Sequence, residues 1–168
     1  MLPDLAVSLG GTKGKGHAMA SIELRLPPIT ASVPISRRIV SAWLDSIDPS
    51  PAMRADALVI TSELVTNGVL HDGGEEITLK AAGERSSITI EVVTSDRPIS
   101  SAAFDRRIAD DGETGRGLTI VAALSNAVST VEAQSRRHVR CHLVGPDNSD
   151  AERSVLVKNQ GCAAGPGG

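Results

Sequence analysis

Polar side chains recur at one-turn spacing along a stretch that otherwise predicts a buried helix. Residues 54–71, RADALVITSELVTNGVLH, place Glu63, Asn67 and His71 four residues apart. In a helix these positions fall within an arc of about 80°, beside apolar positions of the same helix. A carboxylate and an amide aimed inward need partners there, because burying unpaired polar groups is costly. A ligand, a metal ion with its waters, or internal hydrogen bonds could supply those partners.

A glycine-flanked segment further along, Gly115-Arg116-Gly117, opens another predicted helix. The free backbone N–H groups and positive dipole end of such a helix suit phosphate oxygens, and Arg116 adds a positive charge. The glycines could equally serve only to permit a tight turn. The Asn67 carbonyl could ligate Mg²⁺, and Glu63 could accept a proton from a nucleophile that attacks a phosphoryl group. Together these residues favour a nucleotide site.

The elements that must position these residues follow from hydrophobic periodicity and from turn residues. Ser32 is expected to cap the first helix and Ser50 the central one, which ends at His71 before Gly73-Gly74. Residues 95–114 form a long polar loop. The order is βααββαββ, which predicts an α+β two-layer sandwich with helices on one sheet face. The predicted elements are strand 21–26, helix 32–46, helix 52–71, strands 76–82 and 87–93, a helix ending near 124, and strands 127–133 and 138–144.

Composition excludes several classes of function. The chain has 168 residues, a net charge of −3 and only two aromatic residues, so nothing favours nucleic-acid binding. No apolar run approaches the ~20 residues that span a bilayer. Two cysteines make no disulfide framework, and a cytoplasmic protein is expected.

His138 and His142 would share one strand face with Cys141 on the other, which argues against a metal site. Residues 1–20 are predicted to be a flexible arm, 21–144 the domain, and 145–168 a disordered tail.

At this point a family resemblance is visible. ELVTNGVLH (63–71) resembles the N-box of the GHKL superfamily, the fold shared by gyrase-type topoisomerases and sensor histidine kinases, and GRGL (115–118) resembles its second glycine box. The chain is most similar to the small actinobacterial anti-sigma-factor serine kinases, whose pattern is ARRxV…LVxSELVTNAVRH…GRGLxLV. That pattern is matched at 36–40, 60–71 and 115–121. The resemblance implies a Bergerat-type, histidine kinase-like ATPase fold.

The same resemblance implies roles for individual residues. Glu63 would be the general base, Asn67 the Mg²⁺ ligand, and the loop 95–117 the ATP lid. Residues bordering ATP would include His71, Gly115, Arg116, Gly117 and Leu118. The kinase branch of the family phosphorylates a serine on an antagonist protein and otherwise sequesters a sigma factor. A protein-serine/threonine kinase using ATP and Mg²⁺ is therefore expected, with those two protein partners, no direct nucleic-acid or membrane contact, and room for a homodimer.

Two departures from the family pattern favour an alternative. Thr94 stands where the family has an Asp that accepts the adenine amino group, and Asp96 could substitute only if the loop shifts. A G-K-T-like segment is replaced by Arg136-Arg137-His138, which removes a hydroxyl that often meets phosphate. The alternative is a binding module of the same fold that has lost nucleotide chemistry and regulates transcription by sequestering a partner.

Overall fold

The computed structural model describes residues 6–12, 19–71, 76–95, 116–133 and 136–145. These residues form one antiparallel sheet of six strands in the order β1-β2-β3-β4-β6-β5, together with three helices. The elements are β1 (Ala6–Thr12), β2 (Met19–Leu26), α1 (Ser32–Ile47), α2 (Pro51–His71), β3 (Ile77–Glu84), β4 (Ser87–Ser95), α3 (Arg116–Leu124), β5 (Ala127–Ala133) and β6 (Arg136–Val144). The predicted α+β sandwich is confirmed.

The core lies between one face of the sheet and the helices. Alternate residues of the strands are buried on that face, as the period of two in a strand requires. One row across the sheet consists of Leu24, Leu79, Val92 and Val139, which are paired strand to strand and all apolar. The helices contribute the facing layer, which includes Val40, Trp43, Leu44, Ala57, Ile60, Leu64, Val65, Leu118 and Val121.

The central helix forms where it was predicted, and its cap is the predicted one. The Met53 backbone N–H donates to Ser50 Oγ at 3.3 Å, which satisfies one of the free donors at the start of α2. The prediction that Ser32 caps α1 was wrong. Ser32 already lies inside the helix, and its hydroxyl donates instead to the Pro27 carbonyl at 2.6 Å.

The N-terminal segment differs from the prediction. Residues 6–12, expected within a flexible arm, form β1 and pair antiparallel with β2, and β2 itself begins at Met19. The observed order is therefore ββααββαββ. β1 is held by its backbone pairing with β2. It does not need a buried apolar face, and Leu9 is 79% exposed. The sequence of this strand therefore lacks the apolar alternation by which strands are predicted. Of the tail predicted as disordered, only Gly145 lies among the described residues.

The start of the last strand also differs from the prediction. The last strand was predicted to begin at residue 138, but Arg136 and Arg137 are the first residues of β6. Their neighbours in β4 are Ser95 and Thr94 respectively, so the strand continues to the end of β4. Among the described helices, none is long and apolar enough to cross a membrane.

Candidate nucleotide site between helices α2 and α3

The two predicted motifs meet where Glu63 on α2 lies beside Gly117, near the start of α3. A Cβ atom at Gly117 would lie 2.6 Å from Glu63 Oε2 and 3.7 Å from Asn67 Nδ2. Any side chain at position 117 would therefore displace the carboxylate. The absence of a side chain lets the start of α3 pack directly against the polar groups of α2.

Asn67 presents a polar atom for which the described residues offer no partner. Its Nδ2 is buried and makes no hydrogen bond. An unsatisfied buried donor costs about 1–3 kcal/mol, and a ligand that accepted a hydrogen bond from Nδ2 would recover that cost. The amide also carries a carbonyl oxygen, the kind of neutral oxygen that can join waters and phosphates around Mg²⁺.

Thr94, near the end of β4, also has a buried polar atom that finds no hydrogen-bond partner among the described residues, as does Trp43 in the core. Thr94 is 3% exposed, and its Oγ1 makes no hydrogen bond. Its methyl carbon would lie 3.3 Å from a Cβ at Gly68, the residue that follows Asn67 on α2. Thr94 therefore lies under α2 at the level of Asn67, and its hydroxyl is an unused donor and acceptor.

Arg137 is the residue that the sequence reasoning missed. It lies directly opposite Thr94 in the β4–β6 pairing and is 7% exposed, on the face of the sheet that the helices cover. Burial lowers the pKa of its guanidinium. Counting back by twos from Leu143, Cys141 and Val139 along β6 would have placed position 137 on this face.

His138, in contrast, lies on the opposite face. Its Nδ1 is 2.8 Å from Glu91 Oε1. A hydroxyl at position 138 would therefore point away from the site. The replacement of a threonine by His138 in the G-K-T-like segment thus does not change the site. The departure that faces the site from β6 is the cation at Arg137.

The remaining predicted site residues are distributed unevenly. Arg116 is the first residue of α3 and is exposed, whereas the Leu118 side chain packs in the core. His71 is the last residue of α2, and its side chain is not described. Asp96 and Gly115 lie outside the described residues, as does the predicted lid apart from its two ends. The structure thus brings together Glu63, Asn67 and Gly117 and places Thr94 beside Gly68, while their roles stay predictions.

These groups fit a magnesium nucleotide. The start of α3 offers free backbone N–H groups, and a carboxylate and an amide of α2 lie beside Gly117. Within the described ranges no cluster of three or more His, Cys, Asp or Glu residues could hold a metal ion. A Mg²⁺ held here would take Asn67 and complete its shell with phosphate oxygens and water, its usual mode in phosphate sites.

The outer face of the sheet carries a separate polar cluster around Glu91. Its carboxylate is 2.8 Å from His138 Nδ1 and 3.2 Å from Arg140 Nη2, and its side chain is 13% exposed. Burial alone would raise the pKa of Glu91, but the hydrogen bonds and positive charge of its two partners outweigh burial and lower it. Glu91, His138 and Arg140 are paired with one another on the outer face, so this cluster is assigned a role in sheet stability, and the candidate site lies on the helix-covered face.

An antiparallel sheet covered on one face by helices, with the start of one helix beside a carboxylate and an amide, is consistent with the Bergerat ATPase fold. Residues 26–142 match the family model of the histidine kinase-like ATPase domain. This match covers most of the chain, and the chain belongs to that family. No curated protein matches the sequence.

Proposed function

We propose that the chain is an ATP-dependent protein-serine/threonine kinase of the anti-sigma type. It would bind ATP with Mg²⁺, transfer the terminal phosphoryl group to a serine of an antagonist protein, and otherwise sequester a sigma factor. The observation that carries this proposal is the contact between the Glu63 carboxylate and the start of α3 at Gly117. Family membership supports ATP binding, and the resemblance to anti-sigma kinases supports the choice of acceptor and partners.

Glu63 is assigned the role of general base. Its Oε2 lies where phosphate oxygens would meet the α3 N-terminus, so an acceptor serine directed at the terminal phosphorus would come within its reach. Glu63 takes the proton from the serine hydroxyl as the serine oxygen bonds to phosphorus, and the bond from phosphorus to the leaving oxygen of ADP breaks. A positioned base typically contributes about 10²–10⁴-fold to the rate.

Asn67 and α3 are assigned to binding. The Asn67 carbonyl oxygen would hold Mg²⁺, which when bound neutralises charge on the phosphates. The N–H groups of α3 would donate to phosphate oxygens, and Gly117 keeps that end of the helix free of a side chain. None of these contacts requires Glu63, so binding and transfer should separate on mutation.

Partner recognition has a plausible surface on α1. Arg37 and Arg38 are exposed and line an open groove that also includes Leu58 of α2. Two cations beside the apolar side chains of Pro34 and Leu58 suit an acidic, amphipathic partner segment. This groove lies on the helical layer and supports sequestration of a protein partner alongside catalysis.

A second function is favoured by one specific observation. Thr94 and Arg137 occupy the end of the site where the family places an adenine-binding carboxylate. A protein that has lost nucleotide chemistry and only sequesters its partner would tolerate this change. Such a protein would transfer no phosphate, and its partner binding would not depend on Glu63.

Calorimetric titration with ATP and Mg²⁺, followed by transfer of labelled phosphate to the antagonist protein, tests the proposal. Glu63→Gln should retain ATP binding within a fewfold and lower transfer by about 10²–10⁴-fold. Glu23→Gln is the matched control, because Glu23 pairs with Lys80 at 3.5 Å on the outer face of the sheet. Transfer that survives Glu63→Gln undiminished would refute the assigned base, and wild-type protein without transfer would favour the sequestering module.

A further inference from the structure

The outer face of the sheet, opposite the described helices, carries one row of alternating charge. The row runs from β1 to β5 through Ser8, Glu23, Lys80, Glu91, Arg140 and Ser129, each paired with the next. Within the chain Lys80 lies 3.5 Å from Glu23, and Arg140 lies 3.2 Å from Glu91. The side chains of Lys80 and Arg140 are still 47% and 58% exposed, so both cations can pair across an interface as well as within the sheet.

The order of charges in this row is complementary to itself. From β2 to β6 it reads minus, plus, minus, plus, so a second copy turned by 180° about an axis parallel to the strands presents plus, minus, plus, minus. Glu23 then faces Arg140 of the second copy, and Lys80 faces Glu91 of the second copy. An axis along the row would instead place each charge on its own kind. The row therefore favours one orientation of two copies and opposes the other.

The side chains beside the row let two such faces come close. In the two central strands, β3 and β4, the neighbouring outward residues are all short: Ala82 and Thr89 on one side, Thr78 and Val93 on the other. On the side of Ala82 they border an open groove of about 410 Å³, which can receive long side chains of a second copy. Aligned sheets pack about 10 Å apart and about 30° from parallel, so the two rows would cross at their centres, between Lys80 and Glu91.

The face is also large enough for a dimer. Its strands have seven to nine residues, which at the usual strand spacing and rise gives a face of roughly 700 Å². A standard interface buries about 800 Å² on each partner. Because charged groups at its centre must lose water on association, we expect a weak and reversible dimer.

We infer that the outer face of the sheet is the interface of a two-fold symmetric homodimer, in which Glu23 pairs with Arg140 and Lys80 with Glu91 of the second copy. The inference goes beyond the proposed function and does not depend on it, because the candidate nucleotide site lies on the helix-covered face. A variant that stays monomeric should bind ATP as the wild type does. Each proposal can therefore fail without the other.

Sedimentation velocity over a dilution series tests the inference on the full chain. The wild-type protein should dimerise reversibly, and more weakly as salt is added, since salt screens the charge pairs. Glu23→Arg and Arg140→Glu should each raise the dissociation constant of the dimer by at least about 10-fold, because each places two pairs of like charges across the interface. Wild-type protein that stays monomeric at every soluble concentration would overturn the inference, even if this face then binds a different protein.

Combining the two variants separates the interface from damage within one chain. An equimolar mixture of the Glu23→Arg and Arg140→Glu proteins should form heterodimers of wild-type strength, because every facing pair is then opposite in charge. The double variant in a single chain should also regain dimerisation, although both of its internal pairs are disturbed. Arg85→Glu is the matched control and should leave dimerisation unchanged, since Arg85 reaches Asp48 at the end of α1 and lies away from the row.

Circular dichroism establishes that each variant is folded. If a charge reversal unfolds the chain, Glu23→Gln and Arg140→Gln give the same test with a smaller loss of affinity, because they only remove a charge. Folded variants that dimerise like the wild type, or a mixture of the two reversals that stays monomeric, would overturn the inference.

Discussion

Replacing Gly117 by alanine separates the stability of the domain from its chemistry. The new Cβ would lie 2.6 Å from Glu63 Oε2, whereas contacts become ordinary at 3.4 Å, so the carboxylate must move by at least about 0.8 Å. A misplacement of about 1 Å can cost about 100-fold in rate when it moves a catalytic group. We therefore expect Gly117→Ala to lower phosphate transfer by about that factor.

The same substitution should leave the fold intact. Gly117 lies inside α3, where alanine is favoured over glycine by up to about 1 kcal/mol, and the group that must move is the end of a flexible side chain. The free energy of unfolding should change by less than about 1 kcal/mol, equivalent to a shift in Tm of about 2–4 °C in a chain of this size.

Thermal unfolding by circular dichroism and transfer of labelled phosphate measure the two effects. Release of phosphate by the protein alone gives a readout that needs no partner. Ala123→Gly, at an exposed position on the same helix, is the control: it should lower stability slightly and leave transfer unchanged. Full transfer in Gly117→Ala would refute the role given to the contact. A loss of more than about 2 kcal/mol of unfolding free energy would show that Gly117 serves packing instead.

Three further predictions concern single side chains. Thr94→Asp should tighten ATP binding by about 10- to 100-fold, since a charge-assisted acceptor for the adenine amino group is worth about 1.5–3 kcal/mol. If Thr94→Asp leaves the affinity unchanged and Asp96→Ala abolishes binding, the contact with the adenine amino group belongs to Asp96. Glu91→Gln should lower the free energy of unfolding in urea at pH 7. Because the pKa of Glu91 is lowered on folding, its stabilisation is present above the unfolded pKa and lost as pH falls through the folded pKa, so the two proteins should converge once the pH is below the folded pKa. Burial raises the pKa of the Cys141 thiol to about 11. In a Cys162→Ser variant, which leaves Cys141 as the single thiol, a thiol reagent at pH 8 should react with Cys141 only after unfolding. Immediate reaction of the folded protein would contradict the burial of Cys141.

Periodicity predicted most of the fold because each element has one buried face. The central helix and strands β3, β4, β5 and β6 were located to within a few residues for that reason. β1 was missed because an edge strand is held by backbone hydrogen bonds, which any sequence can make, and it does not need apolar alternation.

The part of the candidate site that lies on one helix could be predicted from the sequence. The part that depends on strand pairing could not, because pairing brings together residues that are distant along the chain. Glu63 and Asn67 were found because one helix sets their relative direction. Arg137 was missed because its proximity to Thr94 depends on the pairing of β4 with β6, which are separated by a helix and a strand. Pairing of that kind is set by tertiary structure, and spacing along the chain does not reveal it.

The last strand of the domain lies inside the sheet, between β4 and β5, and not at an edge. During synthesis the segment that carries Glu63 and Asn67 leaves the ribosome well before residues 136–144 do. Until then β4 has an unpaired edge, and Thr94 lacks the neighbour that completes its end of the site. Contacts that span so much of the chain close late and slowly. A nascent chain would therefore pair Thr94 with Arg137 only when its last strand is made, so translation interrupted before residue 136 would release a protein in which β4 is the sheet edge and β5 lacks its partner strand.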